Sequence, residues 1–209
     1  MQVLVFGATG RVGSEIVKQA ISRGHDVTVF ARHTKSLAAI LRPCEVICGD
    51  VRNTSAVTAA MISRPFDGVL SAIGVGKLEP STLVTEGTRS ILGAMHSTGV
   101  RRYLAVSGTA EMPSRTILGR ITNAIFRWAP VGHPIRDHDG AYAIVAASDL
   151  NWTLAACPYL RDGPAKGSYK TGLTYPGGFK VIHPPDVADF MVGELLDRRF
   201  PRQIVELWY

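Results

Sequence analysis

A short apolar segment, a glycine run and an amphipathic segment follow one another at the start of the chain. Residues 2–6 read QVLVF, the continuous apolar pattern of a strand that is buried on both faces. Residues 11–24 place apolar side chains at helical spacing. Gly7, Gly10 and Gly13 lie between the two apolar patterns or at the start of the second. The sequence therefore predicts a strand, a tight turn and a helix, in that order.

The alternation of strand and helix patterns continues along the chain. Further strands are predicted at 26–32, 44–50, 67–74, 101–108, 151–157 and 203–208, and further helices at 35–41, 54–63, 81–99, 138–148 and 184–198. Strands and helices that alternate through short links form a parallel, doubly wound sheet. We therefore expect a Rossmann-like, three-layer α/β fold.

Two segments interrupt this pattern. Residues 109–137 form a long connection rich in Arg and Pro, and residues 168–182 have the alternation and glycine spacing of short paired strands. We expect one domain over residues 1–209, in which 109–137 and 160–180 form a small substrate-covering portion. The basic amphipathic pattern within 109–137 is compatible with a lid, a membrane-surface helix or a helix packed over the sheet edge.

The composition limits the possible partners. The formal net charge is +6 and the basic residues are spread along the chain, which favours a small anionic partner over nucleic acid. No apolar stretch reaches the roughly 18 residues of a membrane span, and we expect no leader and a cytoplasmic protein. Cys44, Cys48 and Cys157 lack the spacing of a metal site. We expect buried thiols, no bound metal, and a monomer or weak dimer.

The glycine run is either a cradle for a nucleotide phosphate or only a tight turn. Gly7 permits the turn, Gly10 lets backbone approach a pyrophosphate, and Gly13 lets the helix pack closely on the strand. The start of the helix adds unpaired N–H groups and the positive end of the helix dipole. Because the run lies at the first strand–helix junction, we favour the cradle. The predicted pyrophosphate-binding residues are Gly7, Thr9, Gly10, Arg11, Val12 and Gly13.

The end of the second strand selects the cofactor. Folds that bind NAD usually place Asp or Glu there for the ribose 2′-hydroxyl, whereas a 2′-phosphate is held by cations. This chain has Arg32, His33 and Lys35 after the strand, and no acid. Arg32 and Lys35 are predicted to hold a 2′-phosphate, unless the segment is only a solvated basic turn. The sequence thus favours NADP(H).

Residues at the ends of the next strands should lie beside the same cofactor, because ligands of open α/β sheets bind at the carboxyl ends of the strands. We predict adenine contacts at the third strand, ribose and phosphate contacts at the fourth, and nicotinamide contacts at the fifth and sixth. These residues are Asp50, Val51, Ala72, Ile73, Gly74, Ser107 and Pro158.

Segments spread over nearly the whole chain carry a family resemblance. They read GATGRVG, AR after strand two, CGDV, TLVTEGTRSILGAMHSTGVRRYLAVS, DLNWTLAACPYLRDGP and DVADFM. With these segments the chain resembles the atypical short-chain dehydrogenases/reductases of the NAD(P)H-binding, NmrA-like type, and most of all the flavin reductase/biliverdin-IXβ reductase group. The resemblance implies a Rossmann fold, NADPH, and reduction of flavins, some tetrapyrroles or quinones.

The chain also departs from the related enzymes. Tyr142 is followed by Ala146 where a Tyr-x-x-x-Lys pair would have lysine, and a tyrosine without a neighbouring cation is a poor base at neutral pH. Alcohol dehydrogenation and sugar epimerisation are therefore not expected. Tyr159 follows Pro158 where the resembled reductases have histidine, so Tyr159 either stacks on the substrate, donates a hydrogen bond or packs internally.

These features lead to one predicted function and two alternatives. We expect an NADPH-dependent reductase that transfers hydride to a planar, aromatic or anionic acceptor such as a flavin, quinone or tetrapyrrole. Ser107 and Tyr159 are the candidate catalytic residues, and Tyr159, Trp128 and His138 the candidate substrate contacts, although His138 could instead cap a helix. The alternatives are a regulatory protein that senses NADP(H) without turnover, and a biosynthetic reductase or isomerase for one polycyclic metabolite.

Overall fold

A computed structural model describes residues 1–32, 44–75, 80–108 and 132–209. Within these ranges the chain forms ten strands and five helices. The strands are β1 (Gln2–Phe6), β2 (Asp26–Ala31), β3 (Glu45–Cys48), β4 (Gly68–Ser71), β5 (Arg102–Gly108), β6 (Asn151–Cys157), β7 (Tyr159–Leu160), β8 (Lys170–Gly172), β9 (Val181–Ile182) and β10 (Gln203–Trp208). The helices are α1 (Arg11–Ser22), α2 (Thr54–Ile62), α3 (Leu83–Thr98), α4 (Gly132–Ala147) and α5 (Pro184–Asp197).

Eight strands form one sheet in the order β3-β2-β1-β4-β5-β6-β10-β8. Neighbouring strands are parallel from β3 to β10, and only the last pairing, between β10 and β8, is antiparallel. The chain runs outward from β1 to β3 and then returns to β4 on the other side of β1. A ligand crevice forms where the strand order reverses in this way. The predicted Rossmann-like α/β fold is therefore confirmed.

Two apolar cores lie on the two faces of the sheet. In β1, Val3 and Val5 belong to the core that contains α1 and α5, whereas Leu4 and Phe6 belong to the core that contains residues of α2, α3 and α4. Alternate side chains of a strand point to opposite faces, so the helices form an outer layer on each side. Strand β1 is therefore buried between the two cores and pairs with β2 on one side and β4 on the other.

A buried ion pair joins α5 to the sheet. Arg102, at the start of β5, is 2% exposed, and Glu194 of α5 is fully buried. The Arg102 guanidinium donates to the Glu194 backbone oxygen at 2.7 Å and to its carboxylate at 3.2 Å. It also donates to the Thr153 hydroxyl at 2.9 Å. The two residues are far apart in sequence, and the sequence analysis did not identify this pair.

Two predicted local features can be compared with the structure. Residues 168–182 contain short paired strands, as predicted, but β8 pairs with β10 and β9 pairs with β7 rather than with each other. Helix α4 begins at Gly132 rather than at 138, so the end of the predicted connection 109–137 is helical. Asn53 caps α2, because its side chain accepts the Ala56 N–H.

The cysteine prediction also needs correction. Cys157 is buried, but Cys44 is only half-buried and Cys48 is exposed. Both residues lie in or directly before β3, which is an edge strand of the sheet, and in the part of the chain that the structure describes no other strand covers its outer side. In the part of the chain that the structure describes, no helix is long and apolar enough to cross a membrane.

We predict that Arg102→Met lowers the free energy of unfolding by about 3–5 kcal/mol, because it leaves the Glu194 carboxylate buried without its main partner. Urea denaturation of the purified protein measures the change. Arg101→Met is the matched control, since Arg101 pairs with Asp149 at the surface and exposed pairs contribute at most about 1 kcal/mol. Equal losses in the two variants would contradict the prediction.

Candidate nucleotide-binding site

The turn between β1 and α1 requires glycine at two positions. Gly7 has a φ of +74°, and a Cβ atom there would lie 2.4 Å from the backbone oxygen of Ala72. A Cβ on Gly13 would lie 2.0 Å from the backbone oxygen of Gly7. The Gly10 N–H closes the turn by donating to the same oxygen at 3.0 Å. The helix can therefore start directly against the end of the strand.

The start of α1 is suited to an anion. Gly10 is the N-cap residue and contributes no side-chain hydrogen bond, and the first turn contains no acidic residue. The first N–H groups of a helix have no partner within the helix, and here no side chain caps them from the N-cap position. A phosphate group at this position would accept those N–H groups and would lie at the positive end of the helix dipole.

A cleft opens at this turn, along the carboxyl ends of β1 to β4. The cleft is lined by Phe6, Gly7, Thr9, Gly10, Phe30, Ala31, Arg32, Gly49, Val51, Ala72, Ile73, Gly74 and Leu83. Eight of the predicted cofactor-binding residues belong to this lining, although they come from four separate parts of the sequence. They are Gly7, Thr9, Gly10, Arg32, Val51, Ala72, Ile73 and Gly74. The cleft lies where the strand order reverses, as expected for a nucleotide-binding site of this fold.

The β2–β3 end of the cleft is basic. Arg32 directly follows β2 and is exposed. The nearby carboxylate of Asp50 is held by Arg52, which donates to its two oxygens at 3.2 and 2.8 Å. The side-chain and backbone hydrogen bonds from Arg52, together with the charges of Arg52 and, to a smaller extent, Arg32, lower the pKa of Asp50 to about 2. Asp50 thus carries a negative charge that Arg52 compensates, and the sequence analysis had not singled out Arg52.

Two other predicted cofactor residues, Arg11 and Val12, do not belong to the lining of the cleft. The Arg11 side chain donates to the Asp162 carboxylate at 2.7 Å and to the Leu160 backbone oxygen at 2.8 Å. Val12 is 5% exposed and belongs to the core between α1, α5 and the sheet. In this structure the Arg11 and Val12 side chains are occupied elsewhere, so their backbone N–H groups are the parts suited to a pyrophosphate. Lys35 lies outside the described residues.

The segment that follows β7 is fixed at both ends. Arg11 holds its beginning through Asp162 and Leu160. The buried carboxylate of Asp186 accepts the N–H groups of Lys166 and Gly167 at 2.9 and 3.0 Å. Part of the predicted covering segment 160–180 is therefore tied to the N-terminal ends of α1 and α5. Its predicted role over the substrate stays a prediction.

The predicted catalytic and substrate residues lie in two places. Ser107 of β5 and His138 of α4 line a second, smaller cavity behind the cleft. His138 lies within α4 and does not cap a helix, because α4 begins six residues earlier. Tyr159, which follows the half-buried Pro158, is 56% exposed, and its ring packs against Phe179 with centroids 5.7 Å apart. Trp128 lies outside the described residues, so its predicted substrate contact has no structural counterpart here.

The comparison with protein families supports this assignment of the cleft. The model of the NAD(P)H-binding family matches residues 7–198, which include the glycine turn and six of the eight strands of the main sheet. The chain belongs to this family. The family match supports a nicotinamide nucleotide as the class of cofactor, and the family resemblance predicted from the sequence is confirmed.

Individual curated relatives match this chain at about 30% identity and over about half of their own length. A 3-diazoavenalumate denitrifying reductase from a Streptomyces species is 31% identical over 162 residues, which cover 73% of this chain and 47% of that protein. A second curated relative is covered over 49% of its length. The chain thus spans about half the length of these relatives.

Solved structures of similar fold cover the whole chain. ChuY of Escherichia coli O157:H7, an anaerobilin reductase, has a TM-score of 0.80 and 20% identity, with 100% of this chain and 97% of that chain covered. SP1627 of Streptococcus pneumoniae TIGR4, described as a candidate NADH-flavin reductase, has a TM-score of 0.78 and 22% identity, with 100% and 99% covered. At these identities the similarity establishes the fold.

We predict that Gly13→Ala weakens nucleotide binding and lowers thermal stability, because the new Cβ would collide with the Gly7 carbonyl oxygen. Gly93→Ala is the matched control, since Gly93 lies within α3 and a Cβ there meets nothing within 4 Å. That control should raise the stability by up to about 1 kcal/mol. Thermal unfolding with and without NADPH measures both effects, and a Gly13→Ala protein as stable as the wild type would refute the prediction.

Proposed function

We propose that this protein is an NADPH-dependent reductase that transfers hydride to a planar conjugated acceptor. The observation that carries the proposal is the combination, in one cleft, of an uncapped helix start at Gly10 with Arg32 at the end of β2. The first feature suits a pyrophosphate, and the second suits a 2′-phosphate. The confirmed family supplies the nicotinamide class of cofactor.

The preference for NADPH over NADH rests on charge. Neither Ala31 nor Arg32 at the end of β2 is acidic, so this strand end offers no carboxylate for a ribose 2′-hydroxyl. Asp50 is the acidic group beside Arg32, and its charge is already compensated by Arg52. A 2′-phosphate at this corner would meet the planar fork of Arg32, which suits bidentate binding of phosphate. Lys35 is proposed as a second cation.

The remaining residues of the cleft would orient the cofactor. Gly7, Thr9 and Gly10 would hold the pyrophosphate through the turn and the start of α1. Val51 would pack against the adenine, and the segment Ala72–Gly74 would pass beneath the central ribose and phosphates. Bound in this orientation, the nicotinamide supplies hydride, and the protein contributes mainly proximity and alignment.

A planar acceptor is supported by the relatives and by the surface near β7. Similar structures include a reductase of a tetrapyrrole and a candidate reductase of flavin. The rings of Tyr159 and Phe179 are tilted at 38° and exposed on the surface, and such rings favour stacking with another conjugated ring. We assign the Tyr159–Phe179 pair as the part of the protein that contacts the acceptor, at a position outside the cofactor cleft.

Measuring NADPH oxidation by the purified protein with FMN, with menadione and with buffer alone tests the proposal. Acceptor-dependent turnover supports it. Binding of NADPH without turnover for any acceptor tested would refute the general reductase and would favour a sensing role or a single dedicated substrate.

We predict that Arg32→Ala raises the Kd for NADPH about 10- to 100-fold, because one or two charge-assisted hydrogen bonds to the 2′-phosphate are lost. The Kd for NADH, which has no 2′-phosphate, should stay nearly constant. Calorimetric titration of both nucleotides measures the difference. Arg101→Ala serves as the control, since Arg101 pairs with Asp149 at the surface, and an equal loss for NADH and NADPH in Arg32→Ala would contradict the assignment.

We also predict that Phe179→Ala raises the KM for FMN several-fold, because removal of one stacked ring sacrifices about 1 kcal/mol of aromatic contact. The KM for NADPH should not change. Leu173→Ala is the matched control, since Leu173 is also an exposed apolar side chain. Equal KM values for FMN in the wild type and in Phe179→Ala would remove this pair from the substrate site.

A further inference from the structure

A second cavity lies between β5, α3 and α4, and its lining is unusually rich in proton-carrying side chains. These are the hydroxyl groups of Ser71, Thr88, Tyr103, Ser107 and Tyr142 and the imidazole of His138. The cavity has a volume of about 20 Å³, which is enough for about one water molecule and too small for a substrate ring. Its chemistry is therefore suited to moving a proton rather than to binding an organic ligand.

We propose that His138 supplies the proton of the reduction, and that Ser107 passes this proton from His138 to the acceptor. The inference rests on the proposed reductase function and names its proton source. The inference also gives a role to this second cavity, which is not needed for binding the cofactor in the cleft.

The position of the cavity connects it to the reaction centre. Ile73 lines both the nucleotide cleft and this cavity, so the two spaces are neighbours that share this residue. Ser107 lies near the carboxyl end of β5, where the nicotinamide half of the cofactor is expected. Ser107 thus lines the cavity at the strand end that lies toward the proposed site of hydride transfer.

Helix α4 is held so that His138 lines the cavity. The Asp137 carboxylate accepts the N–H groups of Val84 and Thr85 at 2.9 and 2.8 Å, and thereby caps the start of α3. The Thr85 hydroxyl donates to the Asp137 backbone oxygen at 2.7 Å. A Cβ on Gly140 would lie 2.5 Å from that hydroxyl oxygen. The residues on both sides of His138 are therefore clamped against α3.

His138 is the group in this lining whose ordinary pKa lies closest to neutral pH, since the other proton-carrying groups are hydroxyls. Burial lowers the pKa of His138 below its ordinary value of 6.5, and the charges of Asp137 and Asp139 on the same helix partly oppose that shift. From the facing strand, Tyr103 remains a neutral hydroxyl, since burial raises its pKa although Ser71 and Thr88 form hydrogen bonds with it. Tyr142, one helical turn after His138, adds a further hydroxyl on the same helix face.

Atoms and charges balance in the proposed proton transfer. The acceptor gains a hydride at one atom and a proton at another. The O–H bond of Ser107 breaks to supply that proton, and the N–H bond of the His138 imidazolium breaks to restore the hydroxyl group. The neutral imidazole then takes up a proton from water. The net change is one hydride and one proton added to the acceptor, with NADPH converted to NADP⁺.

The kinetic test compares the wild type with His138→Gln and Ser107→Ala, with FMN as the acceptor, over a range of acidic to alkaline pH. The kcat of the wild type should rise as the pH falls through the lowered pKa of His138, because the imidazolium is the donor. In His138→Gln, kcat should fall about 100-fold and lose this pH dependence, whereas the Kd for NADPH should stay constant. His133→Gln is the matched control, since His133 lies on the same helix and binds Arg136.

A second readout does not depend on turnover. NMR titration of the ligand-free protein should assign to His138 a pKa below 6.5, and Ser107→Ala should shift it if the two groups are coupled. Either of two results would overturn the inference while leaving the reductase intact. One is a kcat of His138→Gln that depends on pH as it does in the wild type. The other is a pKa of His138 that Ser107→Ala leaves unchanged. Binding of NADPH without turnover for any acceptor would overturn both the reductase and the proton donor.

Discussion

The approach of α1 to the end of β1 fixes the geometry on which the nucleotide site depends. A Cβ on Gly13 would lie 2.0 Å from the Gly7 carbonyl oxygen, so any other residue would force the helix away from the strand. Gly7 itself lies against the backbone that follows β4. The same two contacts therefore set the start of the helix, the depth of the cleft and the position of the Ala72–Gly74 segment that lines it.

The charges around this cleft depend on which side chains form ion pairs there and not on the net charge of the chain. Arg52 compensates Asp50 at one end, and Arg11 pairs with Asp162 near the start of α1. Arg32, by contrast, lies on the lining of the cleft itself. The net charge of +6 thus indicates an anionic partner only in general terms. The ion pairs of Arg11 and Arg52 show that, among the described residues, Arg32 is the cation on the lining of the cleft.

Buried polar side chains connect elements that are distant in sequence. Arg102 and Glu194 join β5 to α5, and Asp137 of α4 caps α3. Unpaired buried charges are costly, so each of these contacts restricts how the helices lie on the sheet. The Asp137 contact has a functional consequence as well, because it fixes the part of α4 that carries His138. Stability and the proposed proton transfer therefore depend on the same local packing.

Local patterns in the sequence determined the order of strands and helices, the glycine turn after β1 and the absence of an acid after β2. These features depend on residues that are neighbours in the chain, and apolar periodicity and backbone conformation reveal them directly. The tertiary structure decided the pairing of β8 and β9, the exposure of Cys48, the compensation of Asp50 by Arg52, and the cavity shared by Ser107 and His138. Such features depend on which distant segments pack together, and no spacing within one segment encodes that choice.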